Sequence, residues 1–378
     1  MDVDLVCWSH LRWSFVFQRP QHLMQRWARG RRVFFIEEPI EGGASRLEVR
    51  EEECGVVVVV PCLPRGLPPG ERTLELQRLV GALYVERAIV EPICWFYSPM
   101  FLDVARALPR SLVVYDCMDE LSAFTDAPPQ LQQTERELLA VADVVLTGGA
   151  SLYEAKRMLH SHVHALPSSV DVAHFGRARA PQLEPADQAV IPRPRLGFHG
   201  VVDERMDIVL LAGLARARPD WHIVIVGPVV KIDPSSLPRL PNIHWLGMKK
   251  YDELPGYLSG WDAALLPFAL NKSTRFISPT KTPEYLAGGC PVVSTPIADV
   301  VRPYGEAGLV RIAGDVDGFV GAIEQALVDD PIERLRAADA FLASMSWEQT
   351  FARAHGLVAD AARRRRGQPD RTSSCTTS

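Results

Sequence analysis

The stretch TRFISPTKTPEYLAGGCPVVSTP, residues 274–296, runs from a loop into a short helix and then a buried strand. Thr282 and Pro283 suit the N-cap and the first helical position. The two glycines at 288–289 supply the conformational freedom that ends a helix, and the apolar run after them predicts a strand. Hydroxyl groups, free N–H groups and Lys281 therefore meet at one helix start. Such a place holds an anion such as phosphate.

Glu284 lies in the first turn of the same predicted helix. An acid at this position complements the helix dipole, and that is the simpler explanation when the stretch is taken alone. The carboxylate is also suited to accept hydrogen bonds from a bound ligand, and sugar hydroxyls are one candidate. The rest of the chain has to decide between the two explanations.

The composition excludes several classes of protein. The chain has 378 residues and a net charge of −5, which predicts two to three domains and no nucleic-acid partner. Its seven cysteines form no CxxC motif and predict reduced core residues of a cytoplasmic protein. No apolar run reaches the roughly 18 residues of a membrane span, and the acidic start MDVDLVCW predicts a strand, not a signal peptide. The run ARRRR, residues 362–366, allows peripheral contact with the inner face of a membrane, although a solvated helix end is simpler.

Short apolar runs alternate with amphipathic ones along the whole chain, which predicts an α/β protein with parallel sheets. We expect two doubly wound, Rossmann-like domains that face a central cleft. The first domain spans residues 1–172 and the second spans residues 196–345. The proline-rich and charged segment 173–195 between them predicts an exposed linker. A helix at 346–366 and a disordered tail at 367–378 complete the chain.

Ligands of doubly wound sheets bind beyond the carboxyl ends of the strands. In the second half, one strand ends in GFHGVVDERMD, where Gly200 allows close backbone approach and Arg205 suits a phosphate. A solvated arginine explains Arg205 equally well. A later strand is followed by Met248 and Tyr251, which are candidates to contact a flat base.

In the first half, the first strand leads into WSHLRWSFVFQRPQHL. Its aromatic and basic side chains suit a sugar ring or a diphosphate, although half of the aromatics are explained equally by a core position. The candidate cleft residues are His10, Arg12, Trp13 and Arg19. Farther along, YDCMDELSAF places Asp116 and Asp119 past a buried strand, where either is a candidate general base. Capping of the next helix is the alternative, and Asp119 is the preferred candidate.

Taken in order, these pieces resemble the nucleotide-sugar-dependent glycosyltransferases of the GT-B fold, in the group that contains families 1 and 4. The resemblance runs from about residue 4 to 362 and rests on four stretches: SSVDVAHF, NIHWLGMKKYDELPGYLSGWDAALLPF, KTPEYLAGGCPVVST and SWEQ. The N-terminal stretches SHLRWSFVFQRPQHLMQRWA and YDCMDELSAF are similar to a bacterial subgroup often labelled teichuronic-acid-type.

The resemblance implies roles for individual residues of the second domain. Glu284 matches the second acid of a paired-glutamate motif and would accept hydrogen bonds from the ribose. Arg205 would contact the diphosphate, and Ser278, Thr280 and Lys281 would surround the diphosphate or the sugar. Two positions depart from the family pattern: Phe276 stands where the first acid is expected, and Val201 stands where an arginine is usual.

The function implied is transfer of a sugar from a UDP- or GDP-sugar to a hydroxyl of a glycan, a lipid-linked glycan or a small molecule. No metal site is predicted, because no His/Cys cluster has ligand spacing. Two alternatives stay open: a nucleotide-sugar epimerase of the same fold, and an inactive sugar-nucleotide-binding module. The donor sugar, the acceptor, the oligomeric state and the choice between retention and inversion are not determined by the sequence.

Overall fold

The structure of the protein is a computed structural model, and it describes residues 3–367. The first part of the chain builds a nine-stranded sheet, which we call the first domain. Its strands run in the order β3-β5-β2-β1-β6-β7-β8-β9, with β4 antiparallel to β5 at one edge. The strands are β1 (Leu5–Ser9), β2 (Val33–Glu37), β3 (Ile40–Glu41), β4 (Arg46–Glu51), β5 (Val56–Leu63), β6 (Ile93–Phe96), β7 (Leu112–Cys117), β8 (Val144–Thr147) and β9 (Val163–Ala165).

The second part of the chain builds a parallel six-stranded sheet, the second domain, in the order β12-β11-β10-β13-β14-β15. Its strands are β10 (Arg195–His199), β11 (His222–Val226), β12 (Ile243–Gly247), β13 (Ala263–Leu266), β14 (Val292–Ser294) and β15 (Val310–Ile312). The strand order reverses beside β1 in the first sheet and beside β10 in the second. Ligands bind at such reversal points. The structure therefore confirms the predicted α/β class and the two doubly wound sheets.

Helices cover both faces of each sheet. In the first domain they are α1 (Arg19–Ala28), α2 (Pro69–Glu86), α3 (Leu102–Arg106), α4 (Leu131–Val141) and α5 (Ala150–Lys156). The remaining helices are α6 (Val172–Gly176), α7 (Ala186–Ala189), α8 (Ile208–Ala217), α9 (Leu254–Leu258), α10 (Lys281–Gly288), α11 (Ala298–Val300), α12 (Val316–Val328), α13 (Pro331–Leu342) and α14 (Trp347–Gly367). Among the described residues, no helix is long and apolar enough to cross a membrane.

Strand β1 shows why the central strands are continuously apolar. Leu5 and Cys7 belong to the core on one face of the sheet, and Val6 and Trp8 belong to the core on the other. Successive side chains of a strand point to opposite faces. Because helices cover both faces, every position of such a strand is buried.

Helix α14 returns from the end of the chain to the first domain. Trp347, Ala354 and Val358 are buried in the core cluster that contains Leu5 and Trp27. At its other end, Arg363 pairs with Asp360 and Arg365 pairs with Asp143, so the basic run is partly neutralised within the fold. The disordered tail predicted for 367–378 lies outside the described residues, except for Gly367, which ends the helix.

The segment 173–195 differs from the exposed linker that its composition predicts. It contains most of α6 and all of α7, and Phe175 and Gln188 are fully buried. The Gln188 amide donates to the Tyr257 carbonyl at 2.9 Å, and Arg179 donates to the Ala287 carbonyl at the end of α10 at 2.7 Å. Helices of four or five residues are too short to show a periodicity in the sequence, so composition alone was misleading here.

Candidate active site

A cavity of about 930 Å³ lies between the carboxyl ends of the two sheets. Three predicted residues of the first domain line it: Trp13, Arg19 and Asp119. All eight predicted residues of the second domain line it as well: Gly200, Arg205, Met248, Tyr251, Ser278, Thr280, Lys281 and Glu284. The loops that follow β1, β7, β10, β12 and β13 are thus brought together at one place.

Helix α10 begins at Lys281 and its N-cap is Thr280, two residues before the predicted cap at Thr282. Thr282 is the second residue of the helix and is fully buried, so it is not the residue that caps the helix. Pro283 still lies in the first turn, where its missing N–H costs no helical hydrogen bond. The helix ends at Gly288, and the next residue, Gly289, has a φ of +84°, the left-handed conformation expected of a terminating glycine.

Gly200 makes room for the cation of the helix start. Its φ is +130°, and a Cβ atom built there would lie 2.0 Å from Cε of Lys281. Lys281 therefore lies directly over the backbone of the loop that follows β10. Burial and the neighbouring Arg205 cation lower the pKa of Lys281.

Arg205 is held in place by Asp203. The guanidinium donates from Nε to Oδ1 at 3.0 Å and from Nη2 to Oδ2 at 2.7 Å. Its Nη1 lies 3.9 Å from the Asp119 carboxylate of the first domain. Two cations, Arg205 and Lys281, thus meet the start of α10, and this combination suits a diphosphate.

Glu284 lies one turn farther along α10 and lines the same cavity. Its Oε2 is 3.5 Å from Nε2 of His199. Burial raises the pKa of Glu284 to about 7, against the effect of the nearby Lys281 cation, which lowers it. When it is ionised, the carboxylate is a hydrogen-bond acceptor that lines the same cavity as the two cations.

Tyr251 lines the cavity with a packed ring, not an open one. The ring stacks on His174 with centroids 4.1 Å apart and also contacts Phe17 of the first domain at 4.7 Å. This packing does not suit the predicted contact with a flat base. The Tyr251 hydroxyl is buried and has no hydrogen-bond partner among the described residues. Met248 is 46% exposed and stays available for a base.

Residues 193–330 match the model of the family described as glycosyl transferases group 1. Over 275 residues the chain is 24% identical to a protein of Bacillus subtilis (strain 168) named "putative teichuronic acid biosynthesis glycosyltransferase", covering 67% of this chain and 68% of that protein. This chain is a glycosyltransferase.

Solved structures show that the glycosyltransferase has the GT-B fold. Sucrose-phosphate synthase from Thermosynechococcus elongatus superposes with a TM-score of 0.70 at 14% identity, over 95% of this chain and 98% of that one. A structure from E. coli described as trehalose-6-phosphate bound with UDP-2-fluoro glucose superposes with a TM-score of 0.68 at 11% identity, over 95% and 99%. The resemblance drawn from the sequence motifs is therefore confirmed.

Asp116, the second candidate base, lies inside the first domain of the glycosyltransferase. It is fully buried within β7, its Oδ1 and Oδ2 each accept from Nε of Arg19 at 3.0 Å, and its Oδ1 lies 2.8 Å from Nη2 of the same ion pair. Arg19 also donates to the Leu166 carbonyl at 2.8 Å. The pair is internal to the first domain, and Asp116 does not line the cavity. Asp119 does line it, and burial raises the pKa of its carboxyl group.

Two further candidates of the first domain, His10 and Arg12, do not line the cavity. Arg12 donates to Glu37 at 3.0 Å, and the same carboxylate accepts from the backbone N–H of Trp13 at 2.8 Å. Arg12 therefore holds the loop that presents Trp13. Burial lowers the pKa of His10 to about 4, so its imidazole is neutral near pH 7.

His199 is a cavity residue that the sequence interpretation missed. It is the last residue of β10 and stands directly before Gly200, so its position at a strand end was a usable signal. The glycosyltransferase has no group of three or more His, Cys, Asp or Glu side chains placed to hold a metal ion within residues 3–367.

Proposed function

We propose that the glycosyltransferase binds a nucleoside diphosphate sugar on its second domain and transfers the sugar to a hydroxyl group held by the first. The observation that carries this proposal is the placement of Arg205, Lys281 and Glu284 around one cavity, with Asp119 opposite them. Two cations at a helix start suit the diphosphate, and the carboxylate suits the ribose hydroxyls.

The same groups explain how the reaction is accelerated. As the bond from the sugar to the diphosphate breaks, negative charge builds up on the leaving oxygen. Arg205 is fixed by Asp203 and Lys281 by the Gly200 loop, so both cations stabilise that charge with little reorganisation. The acceptor proton goes to Asp119 if the anomeric configuration inverts. If the configuration is retained, the leaving phosphate takes the proton.

The acceptor lies on the side of Trp13 and Arg19. The name of the Bacillus subtilis relative refers to teichuronic acid, which favours a glycan or a lipid-linked glycan over a small molecule. The proposal includes no membrane contact, since two of the four arginines at 363–366 pair with Asp360 and Asp143. The six described cysteines are free, which suits the reducing cytoplasm predicted from the sequence.

A donor screen tests the proposal. UDP-, GDP- and ADP-sugars are incubated with the enzyme and an oligosaccharide acceptor mixture, and release of the nucleoside diphosphate is measured. We expect one nucleotide to be released and the reaction to need the acceptor. Conversion of the donor without acceptor would instead indicate the epimerase, and binding without turnover would indicate the inactive module.

The matched variants are Lys281→Met and Lys272→Met, which remove one cation each from the same region of the chain. Lys272 is exposed and does not line the cavity. Lys281→Met is expected to weaken binding of the nucleoside diphosphate and to leave binding of the nucleoside unchanged. Lys272→Met is expected to behave as wild type. Equal loss for both ligands in Lys281→Met would contradict the diphosphate assignment.

A further inference from the structure

His199 has a fixed ring and an unused nitrogen. Its backbone N–H donates to the Tyr285 hydroxyl at 2.9 Å, which anchors the main chain at the end of β10. The ring stacks on Phe175 with an interplanar angle of 6° and meets Tyr285 edge-on, so its plane is set by packing. His199 is 5% exposed, and its Nε2 has no hydrogen-bond partner among the described residues.

The unused nitrogen lies beside the carboxylate of Glu284. The distance of 3.5 Å from Nε2 to Oε2 is too long for a strong hydrogen bond between the two groups. A hydroxyl group beside both atoms would accept from Nε2–H, in the tautomer that carries its proton there, and would donate to the carboxylate. A buried donor without a partner costs free energy, so a ligand that supplies the missing acceptor is favoured at this point.

The ionisation states support this arrangement. Burial and the nearby Lys281 cation lower the pKa of His199 well below its usual range, so the imidazole is neutral at physiological pH. A neutral imidazole carries one N–H donor and no charge. Its contribution is therefore a directed hydrogen bond to a neutral group such as a hydroxyl, while Lys281 and Arg205 supply the charge for the phosphates.

We infer that His199 is a donor-binding residue whose Nε2 holds one ribose hydroxyl against the carboxylate of Glu284. The inference rests on the proposed function, because it needs a nucleotide in the cavity. In this arrangement the ribose hydroxyl has two polar partners, Nε2 of His199 and the carboxylate of Glu284, and not the carboxylate alone. It also explains why a histidine is buried at the end of β10 with one nitrogen unsatisfied.

The test removes the His199 side chain and the ligand hydroxyls separately and together, as in a double-mutant cycle, and compares the binding affinities. Affinities of UDP, 2′-deoxy-UDP and 3′-deoxy-UDP are measured by calorimetry for wild type, His199→Phe and His199→Gln. Phe keeps the ring stack and loses the N–H, whereas Gln keeps an N–H of similar reach. We expect His199→Phe to weaken UDP binding about three- to tenfold, the effect of one neutral hydrogen bond. It should have no effect on one of the two deoxy analogues, and Gln should restore most of the loss.

An equal loss for all three nucleotides would show a structural role for His199 and overturn the inference, as would unchanged UDP binding in a folded His199→Phe variant. Circular dichroism and thermal melting check the fold, and His199→Asn, which is too short to reach the hydroxyl, replaces the Phe variant if that one does not fold. If wild type binds GDP instead, the same cycle is run with GDP and its deoxy analogues. Wild type that binds no nucleoside diphosphate would instead contradict the proposed function.

Discussion

Glu284 is a side chain of the donor cavity whose charge changes near neutral pH. Burial raises its pKa to about 7, while Lys281 works in the opposite direction. The neighbouring His199 has a lowered pKa and Tyr251 has a raised pKa, so neither titrates between pH 6 and pH 8. A raised carboxyl pKa lowers the free energy of unfolding as the pH rises from about 4.5 through 7. Above pH 7, ionised Glu284 therefore makes the ligand-free protein less stable, but it is then a charged hydrogen-bond acceptor for a ligand.

Glu284→Gln is expected to weaken UDP binding about ten- to hundredfold at pH 8, because a charged acceptor is replaced by a neutral one. At pH 6 wild-type Glu284 is mostly protonated, so the ratio of the two affinities should shrink. Calorimetry at both pH values measures this ratio. Because the Gln variant has no titrating carboxyl group at position 284, its own pH dependence corrects for the titration of the ligand phosphates. A ratio that does not change with pH would contradict the pKa assignment.

Substitution of Asp116 and of Asp119 should have different effects, the first on stability and the second on turnover. Asp116→Asn leaves the buried Arg19 without its anion and should lower the free energy of unfolding by about 3–5 kcal/mol. Asp119→Asn should leave the fold intact and, if the enzyme inverts, reduce turnover about a hundred- to ten-thousand-fold. Thermal melting measures the stability of both variants, and NMR of the product shows whether the anomeric configuration is inverted or retained. A retained anomer with an active Asp119→Asn variant would remove Asp119 as the base.

Sequence reasoning found the loop and preferred Asp119, but it left Asp116 as a second candidate. Asp116 and Asp119 were both predicted to follow the strand, whereas β7 continues to Cys117. The boundary therefore decides which acid is buried, and strand boundaries are the least reliable part of a sequence prediction. By contrast, Lys281 and Glu284 were found because a loop, a helix start and a terminating glycine occur together in one short stretch.

At the scale of elements, α14 ties the end of the chain to the first domain. Trp347 is 3% exposed, and its ring stacks on His22 of α1 with centroids 4.2 Å apart. Arg26 of α1 donates to Glu348 at 3.1 Å beside this stack. The aromatic contact is buried and the ion pair is partly exposed, so most of the stabilisation comes from the ring.

Trp347→Ala is expected to lower the free energy of unfolding by about 3–5 kcal/mol, because a large buried side chain leaves a cavity. Gln349→Ala changes an exposed position on the same helix and should stay within about 0.5 kcal/mol of wild type. Urea denaturation followed by fluorescence measures both. Equal stabilities would show that α14 does not hold the first domain together.

At the scale of the whole molecule, the two domains are joined across the cavity by polar contacts. Asp299 of the second domain accepts from the backbone N–H of Ser151 at 3.0 Å, in the first turn of α5. Glu204 accepts from the backbone N–H of Thr125 at 2.9 Å. The sequence could not predict these contacts, because each depends on the relative position of two domains and on no local pattern.

We call the arrangement in which the two domains meet at the Asp299–Ser151 contact closed, and Asp299→Ala should loosen it. The carboxylate acts as a cap for a helix of the other domain, and a cap contributes about 0.5–2 kcal/mol. Its loss should raise the ratio of open to closed molecules about two- to thirtyfold. Small-angle scattering should then show a larger radius of gyration than for wild type. Glu306 is an exposed residue of the same domain, and Glu306→Ala should leave the radius of gyration unchanged. Identical scattering curves for wild type and Asp299→Ala would contradict this role.

The central claim is that the second domain binds the nucleotide of the donor. A crystal structure of the enzyme with UDP, or with the nucleotide that the donor screen selects, tests it most directly. We expect the diphosphate to contact Arg205 and Lys281 at the start of α10, and the ribose to contact Glu284. A nucleotide bound to the first domain, or a diphosphate with no contact to either cation, would contradict the account.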